Sequence, residues 1–301
     1  MKKSVKIWLI TAAALTMAGG ILFTGVMTAM NWDFTKLSTV KYETNSHTID
    51  EEFKNISIKT LTAGVTFLPS NDGKVSVVCA EEPKLKHSVS VKEGTLVIEY
   101  VDSRKWYEHI GINFGSSKIT VYLPEGEYGA ASINSTTGGV TFNAAHSFEK
   151  LDISLTTGDV ELYSSVRGNV NISATTGNLI ADDVSAGDID HSVSTGKVCF
   201  SNVTCKNFTS KGTTGSLTLK NLVASGKLSA QRGTGNITLD KVDAAELHLK
   251  ATTGSVKGSL LSDKIFVAKS TTGKVTVPGS ASGGKCEIST STGSINIEIA
   301  E

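Results

Sequence analysis

Proline is scarce in this chain, with four in 301 residues, and aromatics make up only 6%. The first leaves the backbone free for many strands, and the second points to a core of stacked aliphatics. The four cysteines, Cys79, Cys199, Cys205 and Cys286, are too few and too scattered for a disulfide framework and show no metal-ligand spacing. Net charge is absent too: 29 basic residues balance 29 acidic ones, so bulk electrostatics do not favour a polyanion such as nucleic acid. Neither a Leu-x-x-Cys lipid-attachment site, nor a wall-sorting motif at the end, nor the glycine-rich nonapeptide that binds Ca²⁺ in β-rolls is found. No catalytic spacing stands out.

What is present in abundance is glycine, 29 residues, and much of it recurs in one phrase. A Thr-Gly pair, usually preceded by Thr, places Gly138, Gly158, Gly177, Gly196, Gly215, Gly235, Gly254, Gly273 and Gly293 at intervals of 19 or 20 residues. Such a period marks a repeat architecture in which each unit stacks on the last. Two residues after each glycine the residue is always aliphatic, from Val140 and Val160 to Val275 and Ile295. Columns four after, seven before and five before are mostly apolar, with polar residues between them. This two-residue alternation turns one face of a strand inward. Each unit reads as two short strands meeting at a corner, where the glycine supplies a positive φ. A softer corner is expected around Val166, Val184, Val203, Leu222, Val242 and Leu261. A coil of this length, at about 3.3 Å per residue, has a perimeter near ~60 Å, enough for one shared apolar column and no lumen. The fold class is therefore all-β: a parallel β-solenoid of about nine coils, with right-handed winding as the default.

Lys2, Lys3 and Lys6 precede an uncharged run from residue 7 to 30, long enough to span a bilayer. The positive flank predicts a single-pass anchor with the remainder outside the cytoplasm; a cleaved signal peptide is the competing reading, since two imperfect cleavage-like sites lie in the run. The expected division is an anchor over 1–30, a spacer over 31–50 with Trp32 and Phe34 at the membrane edge, an N-terminal β cap over 51–125 and the solenoid over 126–301. Residues 53–68 resemble a divergent earlier coil with Gly64 at its corner. No C-terminal cap is visible, which would leave the last strand as a pairing edge.

Candidate chemistry is sparse. Asp159 and Glu161, two apart on one strand within an acidic group of early coils, point the same way, as paired carboxylates or Ca²⁺ ligands would; surface solvation is the plainer reading. Lys211, Lys250 and Lys269, each four before its glycine, form a basic stripe on later coils, so the rod would be dipolar and suited to a charged polymer. The insertion 102–117 offers Trp106, Tyr107, His109 and Phe114 beside Arg104 and Lys105, either a binding loop or a hairpin tip folded back on the cap. His191, in an inward column, is expected to be a core histidine bonded to backbone, and Arg232 to reach outward. Cys286 reads as a small core hydrophobe, and Cys199 and Cys205 share a coil in which they could pair. No cofactor and no metal is called for.

The lysine-led apolar segment, the Val-Tyr-Leu-Pro of residues 121–124 ending a non-repetitive β region, and the ladder of xIxxTTGxVxL coils together resemble the DUF4097 family, across roughly residues 50–301. The resemblance implies a surface-exposed bacterial β-solenoid, carrying the label of an adhesin and in some members tied to envelope-stress regulation, with no catalytic residues to carry over. Two functions follow as expectations. The first is a membrane-anchored, non-enzymatic module that binds an envelope polysaccharide or a partner protein. The second is a polysaccharide lyase or hydrolase, because parallel β-helices host such enzymes; the uniformly short corners rank it below.

Overall fold

The computed structural model describes residues 3–37, 41–109, 115–280 and 282–300. Phe114 of the insertion and the His109 side chain lie outside the described residues. One helix, Lys3–Ala29, is long and apolar enough to cross a membrane. From Glu43 onward the regular structure of the described residues is almost all β, and most of it is wound into a solenoid.

The expected columns form the core. Leu151, Val170, Ile189, Phe208 and Leu228 stack in parallel register, as do Val160, Leu179, Val198, Leu217 and Ile237, and all are buried. Each such side chain contributes roughly 1.5–3 kcal/mol on leaving water. Near the N-terminal end Phe67 stacks on Phe142 at 4.4 Å between ring centroids, with Phe148 edge-on to Phe142 at 5.3 Å.

The Thr-Gly corner repeats as a ladder of backbone bonds: Gly138 N donates to Thr157 O, Gly158 N to Thr176 O and Gly177 N to Thr195 O, at 2.9, 2.9 and 3.0 Å. Gly215, with φ of 127°, adopts a conformation that side chains resist. The softer corner has its own device. Asp183, Asn202, Asn221 and Lys241 occupy the left-handed region, with φ between 47° and 55°, and Asn and Asp tolerate it best. Asn202 Nδ2 donates to Asp182 Oδ1 at 3.1 Å, and Asn221 Nδ2 to Asn202 Oδ1 at 3.0 Å, tying neighbouring corners.

Both ends stack out of sequence order. At the N-terminal end Asn55–Thr60 lies between Thr95–Asp102 and Gly126–Thr137, and Gly64–Pro69 between Lys118–Leu123 and Val140–Phe142. The strands Thr95–Asp102 and Lys118–Leu123 thus form a coil outside the one that precedes them in the chain. Beyond it the parallel pattern stops: Val75–Glu81 runs antiparallel to Lys118–Leu123, Leu85–Lys92 to Thr95–Asp102, and Glu43–Ile49 to Val75–Glu81. That last strand lies in the stretch read from the sequence as a spacer. In the first coil it is Ala63, not Gly64, that stands under Gly138: a Cβ on Gly138 would lie 2.4 Å from the Ala63 carbonyl oxygen.

At the C-terminal end Gly284–Thr292 inserts between Ile237–Thr253 and Lys264–Ser270. Ile295–Ile299 likewise runs between Val256–Leu260 and Val275–Thr276. The final strand is therefore internal rather than the edge expected from the sequence, and residues 264–276 close the stack. Gly258 shifts the register so that Leu260, buried, continues the core column, while Leu261 turns outward and is exposed.

The closing coil is latched across the inserted strand. Lys264 Nζ, with its side chain 5% exposed, meets Asp243 Oδ1 at 2.7 Å, and Ser262 Oγ donates to both oxygens of the same carboxylate at 2.9 Å. Lys264 pairs in register with Gly284 of the inserted strand, which carries no side chain.

Candidate functional site

The outer faces carry what chemistry the solenoid offers. Along the strands that follow the corner, Glu161, Ile180, Cys199 and Thr218 stack outward, and Asp159, Asn178, Lys197 and Ser216 precede them. They line a shallow groove of about 560 Å³. Asp159 and Glu161 thus share a face as the spacing implied. Asp159 is nevertheless engaged in the stack: its Oδ1 accepts Asn178 N at 2.6 Å and Asn178 Nδ2 at 3.2 Å, and Asn178 Oδ1 accepts Lys197 N at 3.0 Å. Glu161 accepts a long bond of 3.5 Å from Thr141 Oγ1. Sequence reasoning does not single out Lys197 or the exposed Ile180 in this groove; each stands one or two repeats from an acidic candidate, which is the signal that could find them.

The lysine stripe lies on a different face, across the Thr-Gly corner. In space its order is Lys211, Gln231, Lys250, Ser289, Lys269, because the inserted strand separates the last two. The structure does not bring this stripe to the Asp159 groove. Trp106 and Tyr107 sit at the N-terminal end, on a short 3-10 turn in the loop joining the outer coil's strands. Trp106 is 79% exposed, Tyr107 meets it edge-on at 5.9 Å, and Lys105 Nζ stands 6.0 Å from the Tyr107 ring centroid. The turn is held by Lys105 N donating to Glu108 Oε2 at 2.8 Å and by an ion pair of Glu108 with Lys84. Trp106 and Tyr107 are exposed to solvent rather than folded onto the cap.

Between these faces runs the corner itself. Thr157, Thr176, Thr195 and Thr214 pair residue over residue in successive strands, and all are exposed. The glycine ladder beneath the row ties each corner to the next through backbone hydrogen bonds.

The interior of the central coils holds a polar cluster of Arg232, Ser210 and His191, and it departs from expectation. Arg232 is 1% exposed, not outward. Its Nη2 donates to Ser210 Oγ at 2.9 Å and its Nη1 to Gln231 O at 2.7 Å, while Nε has no partner. Burial lowers its pKa from 12.5 to about 10. Arg232 turns inward because Gly212, its register partner, leaves room: a Cβ there would lie 3.0 Å from the guanidinium carbon. His191 is a core histidine, as expected, but its partner is the Ser210 hydroxyl at 3.2 Å and not backbone. Burial, with the Arg232 charge second, lowers its pKa to about 3, so it is neutral at physiological pH. Cys199 lies on the groove face and Cys205 is buried, so the two thiols point to opposite sides of the sheet and are free. Burial also pushes the Cys286 thiol up to about 12, in keeping with a core hydrophobe.

Comparison with known proteins agrees with this architecture. The family model described as Toastrack DUF4097 matches residues 53–191 and 185–301. The crystal structure of a "putative adhesin" from Bacteroides fragilis has a TM-score of 0.51 at 17% identity, covering 86% of this chain and 97% of its own. That of a "putative lipid binding protein" from Parabacteroides distasonis has a TM-score of 0.53 at 17% identity, covering 87% and 98%. At those identities the likeness is one of fold. No curated protein matches the chain.

Proposed function

The chain belongs to the Toastrack DUF4097 family, and on that premise we propose that it is a single-pass membrane protein whose solenoid, outside the cytoplasm, binds an envelope polysaccharide or a partner protein without catalysis. The helix Lys3–Ala29 supplies the anchor, the strands from Glu43 to Leu123 the cap and the coils from Gly126 onward the binding rod. The observation that carries the reading is the exposed threonine row. Hydroxyls repeat at the strand spacing of about 4.8 Å on a backbone hydrogen-bonded from coil to coil, so a repeating ligand meets donors and acceptors already in place. The groove with Asp159, Glu161 and Lys197 flanks this row on one side and the Lys211, Lys250 stripe on the other. The names given to the two similar solved structures, a "putative adhesin" and a "putative lipid binding protein", favour binding over turnover. Control of an envelope-stress response would follow if occupancy of the rod were reported through the anchor.

The test is retention of the full chain, in detergent micelles, on isolated envelope polymers over a salt series, with soluble sugar release assayed in the same tubes. Retention without release supports the proposal. Released oligosaccharide would favour the lyase or hydrolase, and failure of both would leave a protein partner as the remaining ligand class.

A further inference from the structure

In the N-terminal cap, Cys79 and Glu81 stand two apart on the strand Val75–Glu81 and face the same way. The chain then turns sharply at residues 82–85, where Leu85 N donates to Glu82 O at 3.0 Å. His87, two residues past the turn, comes back onto the face they share. The three side chains are 0%, 1% and 6% exposed, and a sulfur, a carboxylate oxygen and an imidazole nitrogen lie within 4.8 Å of one another. From this convergence we propose that Cys79, Glu81 and His87 form a zinc site.

The donor set suits the ion. Thiolate, imidazole and carboxylate are the ligands Zn²⁺ takes, at about 2.0–2.3 Å and in tetrahedral arrangement, whereas Ca²⁺ and Mg²⁺ require oxygen. Charge balances as well: a dication with one thiolate, one carboxylate and a neutral imidazole is electroneutral, which a buried site requires. Binding releases one proton from the Cys79 thiol to solvent; with Nδ1, 2.8 Å from Glu81 Oε2, given to the ion, the neutral imidazole carries its own proton on Nε2. There it donates to Thr60 Oγ1, already 3.0 Å away. Thr60 thereby holds the imidazole ring in place, and Asn45 Nδ2, donating to Glu81 Oε1 at 2.8 Å, holds the carboxylate with its other oxygen turned to the ion. Thr60 also lines an open groove of about 330 Å³ with Lys59, Leu61 and Tyr100, which gives an approach from solvent.

The experiment is titration of the purified, chelator-treated full chain in detergent with Zn²⁺ against a chromophoric competitor, and in parallel with Co²⁺ followed by absorption. One equivalent should bind, Co²⁺ should give a thiolate-to-metal band in the near ultraviolet, and Cys79→Ser and His87→Gln should each weaken binding at least tenfold. Thr60→Val, away from the ion, should weaken it by a smaller factor. Should Cys79→Ser fail to fold, the cobalt band of the wild-type chain decides alone. A folded wild type without that band, or Zn²⁺ affinity unchanged in Cys79→Ser, would overturn the site and leave Glu81, His87 and Thr60 as a hydrogen-bonded staple of the cap.

Discussion

The carbonyl oxygen of Gly158 occupies the place where a Cβ on Gly177 would have to sit, 1.9 Å from the ideal position. The corner glycines are thus required by the coil beneath as well as by their own backbone. Gly177→Ala is expected to cost at least about 4 kcal/mol, among the larger single-residue effects. Gly73→Ala is the control. Gly73 has φ of 72°, and a Cβ added there would meet nothing within 4 Å, so only the left-handed penalty of about 1–2 kcal/mol remains. Chemical unfolding of the two variants compares them directly.

His191 gives a pH dependence with a defined sign. Its pKa falls from 6.5 in the unfolded chain to about 3 in the fold, through burial first and the Arg232 charge second. Between those values the unfolded chain binds a proton that the folded one refuses, so stability is full above about 6.5 and is lost as pH falls toward 3. The loss from this group is of the order of 5 kcal/mol. In His191→Gln, which keeps a partner for Ser210, the slope of unfolding free energy over that window should be shallower than in the wild type. An unchanged slope would show that the imidazole titrates as it does in water.

Arg232 is a buried charge without a carboxylate, so its replacement should not destabilise. Arg232→Met, which keeps most of the volume, is expected to be neutral or stabilising by about 1–3 kcal/mol. Its coupling to Gly212 is the sharper readout. Gly212→Ala should destabilise the wild type by crowding the guanidinium and do so by much less in the Arg232→Met background. A double-mutant cycle with no interaction energy would contradict the packing described.

Lys264 and Asp243 hold the closing coil across the inserted strand. Burial raises the Asp243 carboxyl, and the Lys264 and Ser262 hydrogen bonds outweigh it, so its pKa lies below the ordinary value. Asp243→Ala should cost roughly 2 kcal/mol, less than a fully buried pair because Asp243 is a quarter exposed. Hydrogen exchange should quicken at residues 264–276 and stay slow in the central coils. Uniform protection across both would remove the latch from the account.

The repeat is legible in the sequence because its period and its alternation act on every coil alike. The columns through Leu151 and Val160 follow from counting residues from each glycine. What the count misses are contacts that break the period. Arg232 turns inward because of Gly212, twenty residues earlier, and a gap in an otherwise apolar column is the available hint. Lys250 and Lys269 are neighbours only if stacking follows the chain, and Ser289 lies between them. Cys79, Glu81 and His87 meet through a turn between two antiparallel strands, outside the repeat, so no spacing rule reaches them. Asp159 and Glu161 do share a face, as an i, i+2 relation on a strand must, but Asp159 also ties its coil to the next through Asn178.

The reversed order of the last two coils bears on how the chain is made. A solenoid stacked in sequence can zip closed behind the ribosome or a translocation pore, each coil settling on a finished one. Here the strands Gly284–Thr292 and Ile295–Ile299 must enter between neighbours already synthesised, so this end of the rod stays unsealed until those two strands have been made.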